Sequence, residues 1–287
     1  MLNYIKIRSL AKSLSLGGRV GVVNSVFRRL FSRAKATAQI NDFDDDLSIR
    51  LELGEHMQRR IFWMGYCNLD IVPLLKSLLK PGMVYVDVGA NIGELTLVSA
   101  KAVGHGGRVV SFEPVSATAE LLRGNIAANG MSWVEVVEKG LADEPGVVSI
   151  YRPESSSMLS GEVNNGLPSL FGGQGAGEEI QKIELTTLDS YFAEATRLDV
   201  LKIDIEGAEL ACLKGGLNVI SRLKPKLIIE VQEETTRMAG YDQAEILKIL
   251  SPLSYQFFTI GRAGRLDTLT VETLGVSQNV LCVPIAS

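Results

Sequence analysis

Histidine and cysteine are nearly absent from this chain, and the few there are lie apart. The histidines are His56 and His105; the cysteines are Cys67, Cys212 and Cys282. No CxxC pair occurs, so neither a zinc site nor a disulfide framework is expected. An odd set of thiols in apolar surroundings points to a reducing compartment, and the expected location is cytoplasmic. No apolar run approaches the roughly 18–20 residues that cross a bilayer. Acidic residues are missing from residues 1–40, which hold Lys6, Arg8, Lys12, Arg19, Arg28, Arg29, Arg33 and Lys35. The net charge is −4, so the remainder of the chain carries about −12. A body this acidic argues against a nucleic-acid groove.

The basic segment also carries Val22, Val23, Val26, Phe27, Leu30 and Phe31 at helical spacing, interrupted by Gly17, Gly18 and Gly21. It lacks the apolar core of a secretory signal. Such a helix can dock on its own domain, meet a partner protein, or lie peripherally on an anionic membrane. The run NDFDDD, residues 41–46, reads as a solvated acidic boundary. The expected division is therefore a basic, helical extension over 1–45 and one main domain over 46–287.

In the main domain strands alternate with helices. VYVDVG from Val84, RVVSFEP at 108–114, VEVVEKG at 134–140, VLKIDIEG at 200–207 and KLIIEVQ at 226–232 are near-continuous apolar runs. Helical patterns fill 94–103, 116–129, 209–221 and 243–250. Strands of this kind are buried on both faces, which predicts a parallel sheet covered by helices. VVSIYR (147–152) reads as an added strand. YQFFTIG (255–261) and NVLCVPI (279–285) have no clear helix between them and suit an antiparallel pair. Residues 153–181, rich in Gly, Ser and Asn, interrupt the alternation: they read as a mobile insertion, either a cover over substrate or a neutral surface loop.

Ligands of such sheets bind beyond the carboxyl ends of the strands. Gly89 and Gly93 frame the first of these turns, and glycine lets a ligand approach the backbone. A P-loop needs Lys after its last Gly, and here Glu94 follows. A dinucleotide site needs a Gly in the middle of the turn, where this chain has Ala90 and Asn91; these would crowd a diphosphate. S-adenosylmethionine has no phosphate. Its cationic portion suits Asp87 at the strand end, and its carboxylate suits the N–H groups of the turn. Glu113 ends the next strand, where an acid typically accepts hydrogen bonds from ribose hydroxyls.

Together, VDVGANIGELT, VSFEP, GLAD (140–143), TTLDSY (186–191), LKIDIEGAEL (201–210) and KLIIEV (226–231) resemble the FkbM family of S-adenosylmethionine-dependent methyltransferases. The resemblance covers about residues 66–252. It implies a Rossmann-like class I methyltransferase fold: a mostly parallel seven-strand sheet, helices on both faces, and an antiparallel last strand. It further implies that Asp87, Gly89, Asn91 and Gly93 line the methionine half of the cofactor, that Glu113 holds the ribose, and that Asp143 sits near the adenine amine. Many members carry an acid near the position of Asn68, where this chain has GYCNLDI.

Methyl transfer to a hydroxyl needs an aligned acceptor and a place for its proton. The candidates are Asp204, Glu206 and Glu230, with Glu209 nearby. Asp204 and Glu206 are two apart, so on one strand they would point the same way. The carboxylates suit a base or an orienting group, a divalent cation held through oxygen, or a structural role; no metal is assigned. No Asp/Asn-Pro-Pro-aromatic motif and no Pro-Cys occur, which counts against methylation of nucleic-acid bases. The family resemblance favours O-methylation of a glycan, sugar or small natural product. A nicotinamide-dependent enzyme and a non-catalytic cofactor-binding scaffold are the competing readings.

Overall fold

A computed structural model of the chain describes residues 3–15, 26–31, 36–153 and 177–285. Its elements begin with a helix, Tyr4–Ser15, and a hairpin of β1 (Thr37–Phe43) and β2 (Leu47–Glu52). Helices His56–Met64 and Ile71–Leu78 lead into β3 (Val84–Val88), and β4 (Arg108–Phe112) and β5 (Val134–Val137) follow, separated by helices Glu94–Val103 and Ser116–Ala128. Next come β6 (Gly140–Leu141), β7 (Gly146–Pro153) and β8 (Gly177–Thr186), then β9 (Val200–Ile203), β10 (Lys226–Gln232), β11 (Tyr255–Ile260), β12 (Leu266–Leu269) and β13 (Ser277–Pro284).

The central sheet has the order β12-β11-β13-β10-β9-β3-β4-β5. β10, β9, β3, β4 and β5 are parallel, and β13 runs antiparallel between β10 and β11. Seven of these strands reproduce the expected sheet with its antiparallel last strand. The eighth, β12, pairs with β11 at the edge and comes from the 262–276 link in which no helix was legible. β6, β8 and β7 form a separate three-stranded sheet. The insertion expected at 153–181 lies mostly outside the described residues; its ends are the close of β7 and the start of β8.

Both faces of the sheet are buried, and the pleat sorts the side chains between them. Tyr85, Val109, Val200, Ile228 and Leu281 belong to one apolar cluster. Val86, Val110, Leu201, Leu227 and Val280 belong to the other. Burying apolar side chains on both faces contributes roughly 1.5–3 kcal/mol for each large one, which is why the sequence shows runs rather than alternation.

The basic extension docks on the main domain. The Arg8 guanidinium, 7% exposed, donates from Nε to the Phe62 carbonyl at 2.6 Å and from Nη1 to both Asp42 oxygens at 2.7 and 2.8 Å. Phe27 and Phe31 each stack on Trp63 at 5.7 Å. Val22, Val23 and the three interrupting glycines lie outside the described residues. The run at 41–46 is not a solvated boundary: Phe43 is 1% exposed, and Asp44 is 5% exposed and accepts from Tyr66 Oη at 2.5 Å. The β1–β2 hairpin spans the 45/46 division, so no boundary in packing falls there. No helix among the described residues is long and apolar enough to cross a membrane.

Candidate active site

The period-two pleat places Asp87, Ser111 and Lys202 on one face of the sheet, since the face alternates at every residue. Asp87 lies opposite Ser111 on one side and Lys202 on the other. These are the carboxyl ends of β3, β4 and β9, and beyond them opens a cleft of about 1130 Å³, including its mouth. Asp87, Gly89, Asn91, Glu113, Asp204 and Glu206 all line it.

The glycine turn is tighter than ligand access alone requires. Gly89 has φ +77°, and a Cβ there would lie 2.0 Å from the Asp204 carbonyl oxygen. Gly93 has φ +98°, and its missing side chain is replaced by Leu122, 2.5 Å from the position of a Cβ. Both glycines are thus demanded by close packing as well as by the backbone. Gly93 is not part of the cleft wall. The N–H groups of the turn are already engaged. Gly89 and Ala90 both donate to the Phe112 carbonyl at 3.0 Å, Asn91 donates to Glu113 Oε2 at 2.9 Å, and Ile92 to Asn91 Oδ1 at 2.7 Å. The turn in this state is a self-satisfied structure rather than an open anion cradle.

Asp87 is fully buried. Thr96 Oγ1 donates to its Oδ2 at 2.7 Å and stands 2.9 Å from Ser111 Oγ. Lys202 Nζ lies 3.3 Å from Asp87 Oδ1 and 3.6 Å from Asp204 Oδ2, and it donates to the carbonyls of Gly89 at 2.8 Å and Val88 at 3.1 Å. Burial alone would lower the Lys202 pKa, but Asp87 and Asp204 outweigh it and hold the ammonium charged. Lys202 therefore pins the glycine turn to β9 while neutralising Asp87. Its signal in the sequence is a lysine inside the apolar run VLKI, which no local motif distinguishes.

Glu113 is 6% exposed, with Oε1 accepting from the Val115 N–H at 3.0 Å and Oε2 from Asn91. Burial pushes its pKa up to about 7, although both backbone donors favour the charged form. Phe112, Leu141, Ile150, Ile183 and Leu185 form an apolar stretch of the cleft. The lining holds five carboxyl groups, Asp87, Glu94, Glu113, Asp204 and Glu206, against Lys139 and Lys202. This excess of carboxyl groups over cations disfavours a diphosphate. Asp143 is exposed and is not part of the wall.

A second group of carboxylates stands where β9 ends. β9 stops at Ile203, so Asp204 and Glu206 occupy the turn after it and not the strand. Their convergence comes from the turn, in which Glu206 has φ +53° and Gly207 φ +105°. Glu209, 1% exposed, holds that turn: its Oε1 accepts from the Ile205 N–H at 2.8 Å and its Oε2 from Gly207 at 3.0 Å. Glu230, on β10, completes the group. Among the described residues, Asp204, Glu206 and Glu230 are the three whose carboxylate oxygens lie within 4.8 Å of one another. The charge of Asp204, followed by burial, raises the Glu230 pKa to about 9. Burial, followed by Asp204 and Glu209, raises Glu206 to about 7. Like charges this close cannot all ionise freely, so the group retains a proton near neutrality.

Glu94 was used at the sequence level only to exclude a P-loop, yet it shapes the site. It is 5% exposed. Its Oε1 accepts from the N–H groups of Cys67 at 2.6 Å and Asn68 at 3.1 Å, and its Oε2 from Asn68 Nδ2 at 2.8 Å. This clamp sets Asn68 into the cleft wall, beside Met57, Gln58 and Ile61 of helix His56–Met64. Asp70 starts the next helix and His56 opens the preceding one; neither lines the cleft.

The family model of the methyltransferase FkbM domain matches residues 87–257, more than half of the chain. Methyltransferase sdnD of Sordaria araneosa is 30% identical over 171 residues, covering 52% of this chain and 66% of the relative, just under two thirds of its length. A probable cobalt-precorrin-6B C(15)-methyltransferase (decarboxylating) of Pyrobaculum calidifontis is 28% identical, over 58% of this chain and 87% of the relative. Among solved structures, a methyltransferase FkbM of Methylobacillus flagellatus aligns over 91% of this chain and 59% of its own, at 17% identity and a TM-score of 0.45.

Proposed function

The chain belongs to the FkbM methyltransferase domain family, and from that premise we propose that it transfers a methyl group from S-adenosylmethionine to a hydroxyl of a sugar, glycan or small natural product. Bound in the cleft, S-adenosylmethionine supplies a methyl group on a cationic sulfur, already activated for displacement. Glu113 would meet the ribose hydroxyls, and the apolar stretch around Phe112 and Leu141 would take the base. Asp87 is fully buried and acts on the site indirectly, through Lys202 and Thr96. Gly89, Asn91 and Gly93 build the turn against which the methionine end would rest. Asp143 would need to move to reach the adenine.

The observation that carries the hydroxyl assignment is the group Asp204, Glu206 and Glu230. A hydroxyl of high pKa must lose its proton as its oxygen bonds to carbon, and general-base help contributes about 10²–10⁴-fold. Glu230 is protonated near neutrality and lies against Asp204. Asp204 lines the cleft and is 26% exposed, so it is the carboxylate offered to the acceptor proton. Glu206 would orient the acceptor. Incubation with S-adenosylmethionine and a panel of sugars and hydroxylated natural products, followed by localisation of the methyl group by NMR, tests this reading. Methyl on oxygen supports it; methyl on carbon or nitrogen overturns it.

A further inference from the structure

Each side-chain amide in the cleft wall is held at one end and free at the other. Three line the cleft: Gln58, Asn68 and Asn91. Gln58, 8% exposed, accepts through Oε1 from the Glu52 N–H at 2.6 Å. Asn91 accepts through Oδ1 from the Ile92 N–H at 2.7 Å. A backbone N–H only donates, so both amides must turn their oxygens to it. Gln58 Nε2 and Asn91 Nδ2 are left without a partner among the described residues. Asn68 is held the other way round. Its Nδ2 donates to Glu94 Oε2 at 2.8 Å, and Oδ1 is the free end. Burial raises the Glu94 pKa, and its three N–H donors oppose this by favouring the carboxylate. A carboxylate only accepts, which turns Nδ2 toward it. All three free ends reach solvent.

The three amides surround one turn. Asn91 belongs to it, and Asn68 is tied to Glu94 at its end. Gln58 is tied to β2, and β2 reaches the turn through Asn125, which accepts from the Arg50 N–H at 2.8 Å and donates to the Ile92 carbonyl at 2.9 Å. Other polar groups nearby are engaged. The turn N–H groups are bonded within the protein, Lys202 is held by carbonyls and carboxylates, and Lys139 pairs with Glu184 at 2.9 Å. Asp87 is fully buried behind Lys202. The free ends are thus two donors and one acceptor. An α-amino acid zwitterion has the complementary set, two carboxylate oxygens and one ammonium. We propose that these amides form the subsite for the amino acid end of the cofactor, Gln58 Nε2 and Asn91 Nδ2 taking the carboxylate and Asn68 Oδ1 the ammonium. The inference rests on the S-adenosylmethionine reading and adds the atoms by which its amino acid is recognised. It also gives the segment before the first parallel strand a direct part in binding, through Gln58 and Asn68.

Calorimetric titration of S-adenosylhomocysteine and of 5′-methylthioadenosine into the full chain tests this. The second ligand keeps the adenosine and the sulfur and lacks the amino acid. Wild type should bind S-adenosylhomocysteine at least about tenfold more tightly than 5′-methylthioadenosine. Gln58→Glu and Asn91→Asp keep the oxygen that is held and turn the free donor into an acceptor; Asn68→Leu removes the free acceptor. Each should weaken S-adenosylhomocysteine about tenfold or more and leave 5′-methylthioadenosine within about twofold of wild type. The second affinity reports that the adenosine site still folds. A variant that loses it is replaced by Gln58→Met, Asn91→Gly or Asn68→Ala at the same position, read in the same way. S-adenosylhomocysteine affinity that any one of the substitutions leaves unchanged overturns the proposal while the cofactor reading stands. So does a wild type that binds both ligands alike. Binding of neither ligand to wild type overturns the cofactor reading and this inference with it.

Discussion

Gly89 and Asp204 touch backbone to backbone: a Cβ on Gly89 would stand 2.0 Å from the Asp204 carbonyl oxygen. The turn after β3 and the turn after β9 are thereby one unit, with Lys202 bonded to the Gly89 carbonyl as a second tie. Gly89→Ala forces both a left-handed conformation on a residue with a side chain and a displacement of Asp204. The expected loss is about 3 kcal/mol of stability, seen as a fall in melting temperature, together with loss of methyl transfer. An unchanged melting temperature would contradict this placement.

Glu94→Ala should loosen the stretch that carries Asn68. Three donors lose their acceptor, and the wall opposite the glycine turn loses its register. Cofactor affinity, measured by calorimetry with S-adenosylhomocysteine, should fall roughly tenfold, as expected when a buried hydrogen-bonded carboxylate is removed. Glu94→Gln keeps one acceptor and should recover part of it. Equal affinities for wild type and Glu94→Ala would remove Asn68 from the site.

The acid group makes the protein sensitive to alkali. The Glu230 pKa rises on folding from 4.5 to about 9, chiefly through Asp204. Below about pH 4.5 it is neutral in both states, and its folded environment costs nothing. Between those values the folded chain holds a proton that the unfolded chain has released, so stability falls as pH rises, until the folded group also ionises. Glu230→Gln removes this slope. Urea melts should show the variant more stable than wild type at pH 9, with the gap closing toward pH 5. A gap that widens toward pH 5 would mean the carboxylate is paired, not crowded.

Asp204→Asn should separate chemistry from binding. It keeps the shape of the turn, while the acceptor proton loses its destination. Turnover should fall about 10²–10⁴-fold, and S-adenosylhomocysteine affinity should stay within a few-fold of wild type. Turnover close to wild type would move the base elsewhere.

Much of this architecture was legible in the chain because burial on both faces writes long apolar runs. VYVDV, RVVSF, VLKI and KLIIEVQ became β3, β4, β9 and β10, and YQFFTIG and NVLCVPI became β11 and β13, an antiparallel pair as the lack of a helix between them suggested. The β1–β2 hairpin is legible only in LSIRLEL, which alternates strictly, with Leu47, Ile49, Leu51 and Leu53 buried; the acids of its turn read as a solvated boundary. Lys202 and Glu94 were missed for another reason. Each is a charged residue whose partners lie far off in sequence: Asp87 for one, Cys67 and Asn68 for the other. Only the register of the strands and the fold of the preceding loop bring them together. The glycines were found, but the close approach that requires Gly89 is to Asp204, over a hundred residues away, and local pattern does not record it.

If the cleft holds S-adenosylmethionine, Glu113 stands at its ribose. The most direct measurement is calorimetric titration of S-adenosylhomocysteine and, separately, NAD into wild type and Glu113→Ala. Wild type should bind S-adenosylhomocysteine at one site, the variant should bind it at least about tenfold more weakly, and NAD should give no heat. Binding of NAD without S-adenosylhomocysteine, or S-adenosylhomocysteine binding that ignores Glu113, would contradict it.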